Sequence, residues 1–236
     1  GDDANPGTAD RPFATLSRAR DAIRRQKQNG PLAEPVCVHV AGGRYVLTEP
    51  LQFGPQDSGS AEAAIVYKAE AGSRPVFCGG RAINGWEPGD NGVWKTHLPD
   101  VAAGSWHFEQ LFVDGKRATR ARTPNKFYYR MQEVKEEVLE GPPDSRRPTK
   151  ARQTITMRPE DFQAALGGVA DAELADVNMV VYHKWDVTRR LLEDADAEQA
   201  KITTSGQGMK AWNRWHKNTR FHLENFKAAL DADGEW

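Results

Sequence analysis

Cysteine is scarce in this chain. Only Cys37 and Cys78 occur in 236 residues, in no zinc or redox spacing and with no histidine beside them at ligand spacing, so both read as small apolar groups. Long hydrophobic runs are missing, and nothing approaches the roughly 18 apolar residues of a membrane-spanning helix. Neither sign of charge dominates: 32 basic residues face 33 acidic ones, a net charge of -1. That balance leaves no footprint for a polyanion such as nucleic acid, which is not an expected partner. There is no GxGxxG pattern around Gly79-Gly80 and no following helix, which argues against a phosphate cradle. Without an EF-hand loop, Asp2, Asp3 and Asn5 read as a polar, frayed start rather than a calcium site. No metal or cofactor is expected. The opening GDDANPGTAD lacks a signal peptide, as either a processed or a trimmed start would.

What is present is a folded composition, with 39% hydrophobic and 28% charged residues, enough for one large domain or two modest ones. After the polar start, Leu16, Ala19 and Ile23 recur at helical spacing in RPFATLSRARDAIRRQKQNG. Thr15 stands at the N-cap, and Asn29-Gly30 followed by Pro31 provides the stop.

The period then shortens to two. Val36, Val38 and Val40 alternate with Cys37 and His39, Gly42-Gly43 turns, and Tyr45 with Leu47 and then Leu51 with Phe53 open further short strands. The pattern recurs: Ile65, Tyr67 and Ala69 alternate, Ala71-Gly72 turns, Val76 and Cys78 follow, then Ala82-Ile83. A period of about 30 residues with glycine corners has the anatomy of stacked parallel coils. A β-sandwich also shows short strands with regular turns. The amphipathic helix ahead of the first coil favours the β-helix, because a helix of that kind hides the open end of a coil stack. In such a stack Cys78 lies over Leu47 rather than Cys37, and no disulfide is expected.

The stretches DANPGTADRPFATLSRARDAIR, HVAGGRYVLTEPLQFGPQDSG and YKAEAGSRPVFCGGRAINGW resemble the N-terminal signature of bacterial right-handed parallel β-helix (pectate-lyase-like) proteins. Among these, the glycoside hydrolases of the fucosidase/xylanase type are similar. FEQLFVDGKRATRARTPN and RFHLENFKAALDADGEW extend the resemblance, which is densest over residues 2–125 and 177–236. It implies an all-β fold with short helices: N-terminal right-handed parallel β-helix coils with a cap helix (residues 1–104), an inserted β-rich domain (105–222) and a return segment (223–236). Asp114-Gly115 marks a tight hairpin in the insert, TITMRPEDFQAAL a strand and then a helix opened by Pro159, and VNMVVYHKWDV, RRLLED and AKITTS three more strands. EGPPDSRRPTKAR reads as a mobile loop, VKEEVLE as a solvated face, and the stretch from Asn225 to Leu230 as a short helix. The family's acids lie on later coils, past Trp236, so the chain looks truncated. With its coil stack open, it is expected to be poorly stable or to associate.

Glycoside hydrolysis usually needs two facing carboxyl groups. No spacing here singles out such a pair, and no catalytic residue is identified. Sugars present apolar C–H faces ringed by hydroxyls, which suit an indole plane with polar donors around it. HKWDVTRR and WNRWHKNTR have that composition. Trp185 and Trp215 are the candidate stacking planes, Arg189 and His216 the polar contacts, and His183 stands beside them; the simpler reading is that these tryptophans pack the insert against the solenoid with the arginines covering them. The function expected from the resemblance is the N-terminal part of a polysaccharide-active glycoside hydrolase, extracellular or periplasmic. A non-catalytic glycan-binding module and a polysaccharide lyase are the alternatives.

Overall fold

The computed structural model describes residues 1–142 and 145–236. The chain divides into two compact units, Gly1–Pro99 and Asp100–Trp236.

The N-terminal unit opens on α1 (Leu16–Gln28), with Ala19 and Ile23 buried. Its N-cap is Thr15, whose hydroxyl accepts from the Arg18 amide at 3.1 Å. The start ahead of it is not frayed. The Asp3 carboxylate accepts from the Ala14 and Thr15 amides, both at 2.9 Å, and from the Thr15 hydroxyl at 2.8 Å. These bonds hold the Asp3 carboxyl below its ordinary range, against the opposing effect of desolvation.

After α1 come β1 (Val36–Val40), β2 (Gly43–Val46), β3 (Ile65–Ala69) and β4 (Pro75–Cys78). β1 pairs with β3 in parallel, Val36 opposite Ile65 and Val40 opposite Ala69, the register expected from the alternation. β2 pairs with β4 in parallel too, with Cys78 opposite Val46, one residue from the expected Leu47, whose amide donates to the Cys78 carbonyl at 2.9 Å. Both thiols are free. A short antiparallel pair, β5 (Glu87–Pro88) with β6 (Trp94–Lys95), completes the unit.

The expected right-handed parallel β-helix is not what the chain forms. Among the described residues parallel ladders are confined to these two pairs, with an isolated parallel bridge between Thr119 and Glu235, and the large sheet is antiparallel. Each cycle yields two strands, not three. The third positions, at Leu51 and Phe53 and again at Ala82 and Ile83, lie outside any strand. Side chains of α1 engage the backbone at and just after the first of them. Arg20 donates to the Gln52 carbonyl at 2.8 Å, and Lys27 donates to the carbonyls of Gln56 and Ser58 at 2.6 and 2.7 Å. Carbonyls engaged by a helix are lost to a ladder.

The same loop holds a forked ion pair. Arg24 meets Asp57 Oδ1 through Nε at 2.6 Å and Oδ2 through Nη2 at 2.7 Å, and the Gly54 amide also donates to Oδ2 at 2.7 Å. The Arg24 bonds, outweighing desolvation, hold the Asp57 carboxyl at about 2 rather than its ordinary 3.8. A carboxyl depressed in the folded state stabilises fully above its unfolded value and loses that contribution as pH falls through the folded one. Acid titration of α1 amide protection between about pH 4 and pH 2 should therefore fall more steeply in the native chain than in Asp57→Asn. Parallel curves would refute this.

After a single turn α2 (Pro99–Ala102), the C-terminal unit has β7 (Phe112–Val113) and β8 (Lys116–Arg117) as the expected hairpin. Asp114 and Gly115 both take positive φ, 50° and 76°, the conformation of a primed two-residue turn. An eight-stranded antiparallel sheet follows. It comprises β9 (Arg122–Thr123), β10 (Tyr129–Arg130), β11 (Glu133–Glu140), β12 (Lys150–Thr156), β13 (Asn178–Tyr182), β14 (Val187–Asp196), β15 (Lys201–Gly206) and β16 (Arg220–Glu224). The order is β10-β16-β13-β14-β15-β12-β11, with β9 also on β16. The helices α3 (Pro159–Leu166) and α4 (Asp171–Leu174) bridge β12 to β13. Alternate residues of the central strands, among them Ile155, Met179, Val181, Leu192, Ile202, Phe221 and Leu223, form one core with Phe162, Ala165 and Leu166 of α3. Each such side chain contributes about 1.5–3 kcal/mol by leaving water.

Three expectations are corrected here. Pro143 and Asp144 of the proline-rich stretch lie outside the described residues, but its remainder is tied down. The Arg146 and Pro148 carbonyls accept from the Ala211 and Gly208 amides, both at 2.9 Å, and Lys150 already belongs to β12. In the charged stretch Val134 to Glu140, Lys135 and Glu137 face solvent as expected, whereas the Glu136 side chain is only 4% exposed. Near the end, residues Lys227–Ala229 make a 3-10 turn instead of a helix.

Candidate functional site

The β13–β14 turn and the segment between β15 and β16 meet around His183. The His183 amide donates to the Asp186 carbonyl at 2.9 Å, closing the turn. The Asp186 carboxylate accepts from Lys210 Nζ at 2.5 Å and Asn213 Nδ2 at 3.3 Å, and the lysine contact above all holds its pKa below the ordinary value. On the imidazole, the Trp215 indole N–H donates to Nε2 at 2.9 Å. An indole nitrogen can only donate, so Nε2 is an acceptor, and the proton sits on Nδ1, 3.3 Å from the Asn213 carbonyl. Burial lowers the His183 pKa as well. Both observations describe a neutral, positioned ring.

Glu136 anchors the segment from below. Its carboxylate accepts from the Met209 amide at 2.7 Å, Gln153 Nε2 at 3.0 Å and Arg214 Nη2 at 3.2 Å. The arrangement leaves two hollows, both lined by His183. The larger, about 400 Å³, is bounded by Tyr182, Lys184, Trp212, Arg214, His216 and Arg220 among others, and no carboxylate lines it among the described residues. The smaller, about 130 Å³, holds Arg147, Arg190, Lys210 and Asp186.

Of the residues singled out from sequence, the structure brings His183 and His216 together in the larger hollow. Trp185 is 70% exposed in the turn, with Lys184 Nζ 6.0 Å from its ring centre, and lines neither hollow. Trp215 is 6% exposed and belongs to the core, so its indole faces His183 and not solvent. Arg189 turns to the other side of β14 from Arg190, as strand alternation requires. There its Nε stands 3.5 Å from Glu224 and its Nη1 3.9 Å from Glu109.

Sequence reasoning missed Arg147, Glu136 and Glu224. Arg147 and Glu136 carry no local signal. Glu224 does carry one: in RFHLENF, His222 and Glu224 share one face of the strand with Arg220 while Phe221 and Leu223 take the other. Arg120, Arg189 and His222 surround the Glu224 carboxylate at 3.6, 3.5 and 3.2 Å. Desolvation opposes its charge, but these partners outweigh it and keep the pKa below the ordinary value.

No protein-family model matches the sequence, and no curated protein matches it. A solved structure titled "Glycoside hydrolase" is similar to 100% of this chain, with a TM-score of 0.70 at 23% identity. The match covers 40% of that protein, so the chain spans well under half the length of its structural neighbour. The likeness establishes a shared fold.

Proposed function

We propose that this chain is a glycan-contacting part of a carbohydrate-active protein of the glycoside hydrolase kind, working on polysaccharide outside the cytoplasm. The observation that carries it is the fold likeness to a glycoside hydrolase over the full length of the chain. The larger hollow supports it. Its volume, about 400 Å³, falls within the range of small-molecule sites. Trp212, 50% exposed on its wall, offers an apolar plane for a sugar face, and Asn213, Arg214 and Asn218 offer polar groups for hydroxyls. Cleavage by paired carboxyl groups has no counterpart there, because no acid lines this hollow among the described residues. That same observation favours a second reading, in which the protein binds glycans without turning them over.

Titration of the chain with a polysaccharide panel, followed by tryptophan emission, tests the proposal. Binding should weaken about tenfold in Trp212→Ala, roughly 1.4 kcal/mol, with the thermal transition unchanged. Failure of the native chain to bind any glycan would overturn it. Release of reducing ends by this chain alone would show that the hollow is not its only contact with substrate.

A further inference from the structure

We infer that the site around His183 selects an anionic sugar, one bearing a carboxylate or sulfate, and that Arg147 and Arg190 in the smaller recess receive the charged group. The inference rests on the glycan-contacting role proposed above and adds the substrate class. Overall charge balance conceals how the charges are distributed. Arg147 and Arg190 line one recess of about 130 Å³, and no acid is in ion-pair contact with either among the described residues. Among the described residues the one carboxylate lining that recess, Asp186, is already taken by Lys210 and Asn213.

Arg190 is held rigidly. It donates to the Arg189 and Gln207 carbonyls at 3.0 and 2.9 Å, and it lies flat against Gly206, where a Cβ would come within 2.5 Å of its Nε. That Nε is buried without a partner. Burial first, and then the neighbouring Arg147 charge, work against the Arg190 cation. Two guanidinium groups so placed repel each other, and an anion between them relieves both the repulsion and the desolvation. With Arg147 Nε turned to the Gly208 carbonyl at 3.4 Å and Arg190 Nε closed off against Gly206, a carboxylate or a sulfate ester would take the remaining Nη N–H groups.

The larger hollow adds charge of the same sign. Arg214 is balanced by Glu136 at 3.2 Å. Lys184 and Arg220 face aromatic rings, Trp185 at 6.0 Å and Tyr128 at 5.3 Å, instead of acids. A glycan lying against Trp212 thus meets uncompensated positive charge on both sides of the neutral His183.

The test is calorimetric titration of the chain with a uronate-bearing oligosaccharide, its carboxyl-reduced counterpart, a sulfated galactan, and single-stranded DNA of similar charge density. The acidic sugar should bind at least about tenfold more tightly than its reduced form, a gap that narrows with added salt. Arg147→Ala and, separately, Lys184→Ala should shrink that gap without moving the thermal transition, while Trp212→Ala should weaken acidic and reduced forms alike. The sulfated arm identifies which anion fits. Equal binding of acidic and reduced forms would overturn the inference and leave the glycan-contacting role standing. DNA binding as tight as that of the acidic sugar, or a gap untouched by Arg147→Ala and Arg190→Lys, would also overturn it. Absence of binding to every glycan would sink the underlying role itself.

Discussion

Glu224→Ala is expected to lower the stability of the C-terminal unit by about 3–5 kcal/mol, the cost of removing one partner from a buried charged group. That corresponds to a fall of roughly 10–20 °C in its thermal midpoint. Side-chain exposures of 6% for Glu224, 5% for His222 and 13% for Arg120 leave little water to take over from the lost carboxylate. Arg120 would then lose its counter-charge, and Arg189 would keep only Glu109, 3.9 Å away. Glu224→Gln, which keeps the shape and removes the charge, should fall between the native chain and the alanine variant. Several atoms of this group, Arg120 Nε, His222 Nδ1 and Glu224 Oε1, have no hydrogen-bond partner, so the two arginines act on the carboxylate through charge alone, and only His222 Nε2, at 3.2 Å, is hydrogen-bonded to it. Replacing Arg120, Arg189, His222 and Glu224 together with apolar residues of similar size should therefore cost less than Glu224→Ala alone. The folded-state carboxyl is depressed, so its contribution is present above the ordinary carboxylate value of 4.5 and lost as acid is added. Urea denaturation checks all of this, and a Glu224→Ala midpoint matching the native one would refute it.

The second large effect belongs to Trp215. Trp215→Ala should cost about 3–5 kcal/mol, since a core indole is removed and the cavity relaxes only in part. Trp215→Phe keeps most of the packing but leaves His183 Nε2 with the Thr188 hydroxyl at 3.0 Å in place of two partners, a loss of about 0.5–1.5 kcal/mol. The contrast with Trp212 is diagnostic. Trp212→Ala should weaken glycan binding with its midpoint unmoved, whereas Trp215→Ala should move the midpoint. The reverse pattern would mean that Trp215, not Trp212, is the sugar platform.

These two tryptophans show where sequence reasoning stops. Residue type marks an indole as suitable for either packing or stacking, and only the fold decides, here by turning Trp215 inward and leaving Trp212 half exposed. Short-range features were legible because they are encoded within a few residues: the Thr15 cap, the Asp114-Gly115 turn, Pro159 at the start of α3, and the alternation of β1 and β3. Alternation reveals a buried face but not the direction of the neighbouring strand. The repeat of β1–β2 in β3–β4 was accordingly real, while its extrapolation to a solenoid was not. The antiparallel order of the large sheet depends on pairings such as β13 with β16, between segments far apart in sequence. The basic lining of the hollows was hidden for the same reason, since Arg147, Lys184, Arg190, Arg214 and Arg220 come from separate stretches that only the sheet brings together.

The distribution of the two free thiols has a practical consequence. Cys37 and Cys78 both lie on parallel strands of the first unit, and residues 100–236 contain no sulfhydryl at all. Indoles are weighted the opposite way, with Trp106, Trp185, Trp212, Trp215 and Trp236 in the second unit against Trp86 and Trp94 in the first. Maleimide labelling kinetics thus report on one half of the molecule, and indole emission mainly on the other. The chain carries its own pair of orthogonal spectroscopic handles, and the melting of each unit can be followed without introducing a single dye-bearing substitution.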